Sequence, residues 1–160
     1  MTIVKMNNNI IYQTTPLKYS KRCFLNFFVE TPLLYIFPLL GVFSYKVPIL
    51  MVVWFTIYIY HLIITLLICK KYIYMIVRDG EYVKIYTLEY NKSVNYSIHL
   101  NKIKIEKFGY KYRLSNYLLI TDGDNISHKQ YFINSWKPNI IEDIVPKIEL
   151  ARTSFQSEHQ

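Results

Sequence analysis

The chain has 160 residues, a net charge of +8, two cysteines and a hydrophobic fraction of 52% that averages an apolar first half with a polar, Lys- and Tyr-rich second half. It therefore reads as two units rather than one domain. The charge does not by itself make a nucleic-acid binder, because about half of the excess flanks apolar segments, where positive residues mark the cytoplasmic side of a membrane.

Residues 1–22 form an N-terminal cytoplasmic segment. Its apolar residues are scattered among Asn, Gln and Thr, without the short apolar core and small-residue cleavage site of a signal peptide. Within it, residues 9–12 (NIIY) are either a short strand or a segment lying at the membrane interface.

A transmembrane helical hairpin is expected over residues 23–71. Residues 47–69 (VPILMVVWFTIYIYHLIITLLIC) carry no formal charge and are bracketed by Lys46 and by Lys70 and Lys71. At about 1.5 Å per residue they make a helix of roughly 34 Å, enough to cross a hydrocarbon core of about 30 Å. A buried helix of a soluble domain rarely runs that far without a polar face. Residues 24–44 are a second span candidate, interrupted by Glu30, Pro32, Pro38 and Gly41, with a kink expected at Pro38. Only Tyr45 and Lys46 separate the two, so they form a tight antiparallel pair with Pro48 in the first turn of the second helix. Lys18, Lys21, Arg22, Lys70 and Lys71 then place both termini in the cytoplasm of a multi-pass inner-membrane protein. Cys23 and Cys69 sit at the cytoplasmic edges, where a structural disulfide is not expected.

After Lys71 the periodicity changes. Strands are expected over 72–78, 82–87, 95–100, 102–108, 110–114, 117–121 and 127–133. Asp79-Gly80 makes the first hairpin turn, and residues 122–125 (DGDN) make the last. In residues 102–108, Ile103 and Ile105 alternate with Lys102, Lys104 and Glu106, so one face meets a core and the other meets water. Ile140, Ile141, Ile144, Val145 and Ile148 then follow helical spacing, with Pro146 expected to kink or split the helix. The domain spans 72–152, and 153–160 is a frayed tail.

Seven short strands closed by one amphipathic helix form a small β-barrel or sandwich with a helix plugging an open end. The stretch Ser97-Ile98-His99-Leu100-Asn101-Lys102-Ile103 is similar to the I-x-L-x-x-I stretch of the bacterial pleckstrin-homology-like (PH-like) membrane families. In these YdbS-like and YcxB-like proteins a two-helix hairpin precedes the domain, and an aromatic residue often introduces the last helix, as Trp136 does here. The fold class implied is an α+β membrane protein: a transmembrane hairpin plus a PH-like domain. Phosphoinositide-binding PH domains carry basic residues around the first hairpin turn; here that turn reads Arg78-Asp79-Gly80-Glu81, which argues against such capture.

Charged groups inside spans are the best functional pointers in a membrane sequence. Glu30 and His61 are expected at about 9–12 Å depth on facing helices, supported by a polar stripe of Asn26, Tyr58 and Thr65. They form a proton- or ion-handling pair, a socket for a membrane partner, or simply the glue of the hairpin. Lys102, Lys104, Lys107, Lys111 and Arg113, interleaved with Tyr110 and Tyr112, form a basic patch expected to meet lipid headgroups or water rather than nucleic acid. Asp122-x-Asp124 lacks the remaining ligands of a calcium loop, His99 and His128 fall in no metal-ligand spacing, and no catalytic motif occurs. No cofactor or metal is expected. The leading expectation is a non-enzymatic interaction module whose partners are the lipid bilayer and a protein or a second copy. The alternatives are a transport accessory using Glu30 and His61, or a membrane immunity or resistance protein.

Overall fold

A computed structural model of the chain describes residues 9–29, 48–109, 116–123 and 126–158. The chain divides into two units, one of Met1–Pro16 with Lys71–Gln160, the other Leu17–Lys70. The first unit is thus discontinuous: the chain leaves it after sixteen residues and returns at Lys71.

This first unit is α+β. A four-stranded antiparallel sheet runs in the order β1 (Ile10–Gln13), β2 (Lys71–Asp79), β3 (Tyr82–Glu89), β4 (Lys92–His99). A three-stranded antiparallel sheet follows as β5 (Ile103–Phe108), β6 (Tyr117–Asp122), β7 (Ile126–Tyr131). The segment NIIY, readable as strand or interfacial segment, supplies β1, which pairs with β2 through Ile10–Val77, Tyr12–Ile76 and Gln13–Met75. The expected strand over 110–114 lies outside the described residues.

Local chemistry explains the turns. Asp79 pairs with Tyr82, so Gly80-Glu81 is a two-residue loop, and Gly80 takes φ +59° at the first loop position, where a II′ turn requires a positive φ. The register of β2 shifts between Ile73 and Met75, a bulge that lets both Ile73 and Ile76 reach the core despite their odd spacing. Ile98, Leu100 and Ile103, the apolar positions of the I-x-L-x-x-I stretch, are all buried where the chain passes from one sheet to the other.

The core of this unit joins Tyr72, Ile76, Val83, Ile85, Leu118 and Ile120 from the strands to Trp136, Ile141, Ile144 and Ile148. The last three lie on α3 (Pro138–Glu158; α1 and α2 belong to the second unit). Two expectations are corrected here. Pro146 does not split the helix: it is on the exposed face, where the carbonyl left without its N–H partner is open to water. Of the expected frayed tail, residues 159–160 lie outside the described residues, and residues 153–158 are not frayed, because α3 continues to Glu158. Ala151 and Phe155 extend its apolar stripe into the core, and Ser154 accepts a 2.9 Å hydrogen bond from Arg78.

The second unit contains α1 (Tyr19–Phe24), a π-helical segment Leu25–Val29 that continues it, and α2 (Pro48–Ile68). Among the described residues α2 is the one helix long and apolar enough to cross a membrane. It is about 31 Å long, and only 17% of Met51–Ile68 is buried, which is unlike the core helix of a soluble domain. The residues of the expected first span beyond Val29, with Pro32, Pro38 and Gly41, lie outside the described residues.

Candidate functional site

In the second unit the polar stripe assembles in part. The Asn26 amide donates to the Thr65 hydroxyl at 3.4 Å, and both side chains are buried. His61 is 4% exposed and stacks on Phe27, with ring centroids 5.2 Å apart and planes at 15°. Tyr58 meets the same Phe27 ring edge-on at 5.2 Å. The Tyr19 hydroxyl donates to the Leu66 carbonyl at 3.0 Å. As residue numbers rise from 19 through 26 to 27, their partners fall from 66 through 65 to 61 and 58, so Tyr19–Val29 runs antiparallel to α2. Glu30, the expected partner of His61, lies outside the described residues. Among the described residues the contacts across this stripe are with an aromatic ring and hydroxyl-bearing side chains, chemistry that ties two helices together. Arg22, expected as a membrane-flanking charge, is fully buried, its guanidinium 5.8 Å from the centroid of the Tyr19 ring.

The described members of the basic patch, Lys102, Lys104 and Lys107, do not share one face. Lys104 points outward from β5, Lys107 has the opposite phase and reaches Glu142 on α3 at 3.4 Å, and Lys102 sits in the turn between β4 and β5. Lys111, Arg113, Tyr110 and Tyr112 lie outside the described residues.

Sequence reasoning missed an aromatic row on the outer face of the three-stranded sheet. Phe108 pairs with Tyr117 and Tyr117 with Tyr131 in register. The first two rings stack at 5.0 Å and 18°, the next two tilt at 5.8 Å. Lys129, also outward, places its ammonium 4.0 Å from the Tyr117 centroid and 5.6 Å from that of Tyr131. Alternation within each strand was legible, but which aromatics stand side by side depends on cross-strand register.

Two polar constellations lie inside the same unit. At the end of β1 the ladder runs out, and the next backbone groups of β2 on that side are taken by side chains. Gln130 Oε1 accepts from the Ile73 N–H at 2.7 Å, while Trp136 Nε1 donates to the Ile73 carbonyl at 2.8 Å. Beside them Ser135 contacts the hydroxyls of Tyr72 and Thr14, and Tyr12 packs its ring 4.4 Å from Trp136. Burial pushes the Tyr12 phenol up to about 12, so it stays protonated. The second constellation runs from Lys71 to Glu89 at 2.8 Å, from Tyr96 to Glu89 at 2.9 Å, and from Tyr96 to His128 at 4.0 Å between rings. Burial, and then the Lys71 ammonium, hold His128 below its ordinary value.

A groove of about 430 Å³ runs between β1 and α3, lined by Ile10, Ile11, Pro146, Leu150 and Ala151. The charges at its wall have partners within the unit: Arg78 with Ser154, Asp143 with Lys147. Among the described residues no group of three or more His, Cys, Asp or Glu side chains is placed to hold a metal. Neither constellation combines a nucleophile, a base and an oxyanion donor set around an open cleft. Compared with protein-family models, curated proteins and solved structures, the chain matches none.

Proposed function

We propose that the chain is a non-enzymatic inner-membrane protein: a PH-like domain interrupted by a membrane hairpin, acting as an interaction module at the cytoplasmic surface. The observation that carries this is the pairing of β1 with β2 across the inserted unit. Two strands of one sheet must lie on the same side of a bilayer. The segment between them therefore crosses an even number of times, and if α2 is one crossing, a second lies between Pro16 and Pro48. The antiparallel packing of Tyr19–Val29 on α2 supports the same hairpin.

Two antiparallel sheets with a closing helix support the PH-like reading. Only Cys69 and Lys70 separate α2 from β2, so the domain starts within a few residues of the bilayer surface. A domain held there, with positive residues on the flanks of the insert, is placed to bind a membrane partner, a second copy or the lipid surface. Crosslinking in intact membranes, followed by purification, is expected to recover a protein, a second copy or lipid joined through residues 72–152. A monomer whose domain carries no adduct to protein or lipid contradicts the reading.

A further inference from the structure

We infer that the Phe108–Tyr117–Tyr131 row, with Lys129, is an interfacial anchor that seats the domain on an anionic bilayer surface. This rests on the membrane reading above and deepens it by naming the surface that meets the lipid and the charge the lipid carries.

The first argument is position within the domain. Tyr131 follows Gln130, which bonds the backbone of Ile73, only two residues into the domain after Lys71. Tyr117 and Phe108 are in register with Tyr131. The aromatic row therefore lies at the end of the domain where β2 begins and where β1 gives out at Gln13, the two places from which the chain passes into its inserted unit. Tyr90 is at this end too, in the loop between the paired Glu89 and Lys92. It is 49% exposed at φ +54°, a conformation Gly or Asn adopts at lower cost.

The second argument is composition. Aromatic rings with a polar tip beside lysine side chains are the residues that settle at a membrane–water interface. Phe108 has no polar tip, yet 39% of it is exposed in a row that water alone would not favour. Lys129 is exposed, holds its ammonium against the Tyr117 ring, and has no carboxylate within ion-pair distance among the described residues. Anionic headgroups within a Debye length of Lys129 complete the match.

The test uses the full chain in lipid nanodiscs of phosphatidylcholine, with or without phosphatidylglycerol. Each disc contains a trace of phospholipid bearing a photoactivatable diazirine near its headgroup, and adducts are mapped by mass spectrometry. In phosphatidylglycerol discs, adducts are expected on peptides containing Phe108, Tyr117 or Tyr131. They should fall to the phosphatidylcholine level in the variant Lys129→Glu, whose side chain is exposed and whose circular dichroism should not change. Phe108→Ala, which keeps every charge, should lower the same adducts. Adducts on residues 48–68 serve as the internal control in every disc. Helix adducts without sheet adducts, or sheet adducts indifferent to phosphatidylglycerol and to charge reversal, overturn the anchor alone. Absence of helix adducts overturns the membrane reading beneath it. Protection of the sheet peptides by oligodeoxythymidylate, with no lipid adduct there, would assign the row to nucleic acid instead.

Discussion

At the scale of single residues, the domain depends on side chains that finish what the strands leave undone. Gln130 is fully buried, and its amide occupies both neighbours: it accepts from the Ile73 N–H and donates to the Tyr131 carbonyl at 2.6 Å. Gln130→Leu keeps the volume but leaves a buried N–H without an acceptor, a cost of about 1–3 kcal/mol. Urea unfolding of the full chain should show that loss, and an unchanged midpoint would mean that Ile73 is hydrated. His128 supplies a pH signature. Its ordinary value is 6.5 and burial lowers it in the folded state, so below pH 6.5 the unfolded chain binds the extra proton. Stability attributable to this group is complete above 6.5 and declines as pH falls from there toward the depressed folded value. A melting-temperature profile should show this decline, and His128→Gln should flatten it in that window. Neither role was legible in the sequence: Gln130 sits in a polar run, SHKQY, whose inward phase is set by pairing with β6.

At the scale of elements, the hairpins were readable and the ends were not. Asp79-Gly80 and Asp122-Gly123 announce their turns through local chemistry, and both glycines take positive φ. The C-terminal helix shows its apolar spacing plainly up to Ile148, after which TSFQSEHQ looks too polar to continue. What holds the last two turns is the Phe155 ring together with the Arg78–Ser154 hydrogen bond. Phe155 is 6% exposed in the core and meets His99 edge-on at 5.7 Å. Phe155→Ala is expected to cost about 3–5 kcal/mol and to release 153–158 to rapid amide exchange. Truncation after residue 152, which removes the same ring, should cost a similar amount of stability. Wild-type stability in that truncation would restore the frayed-tail reading. At β1 the sequence leaves strand and interfacial segment both open, because four residues, IIYQ, with no flanking turn signal, cannot declare a partner some sixty residues away.

At the scale of the whole molecule, that four-residue strand changes the meaning of the membrane segment. Composition alone reveals α2, because length and the absence of charge need no partner to be read. It does not reveal that the apolar unit is an insertion within one sheet, since that depends on a non-local pairing. The proposed topology stands on this insertion and puts both of its ends on the cytoplasmic side. The most direct measurement introduces Gln13→Cys or Lys92→Cys, both at exposed positions, into a chain whose Cys23 and Cys69 are changed to Ser. Each variant is labelled with a membrane-impermeant maleimide in inverted and in right-side-out vesicles. Both positions are expected to react in inverted vesicles and to be silent in right-side-out ones. Labelling of Gln13→Cys and Lys92→Cys from opposite sides of the membrane would contradict the account.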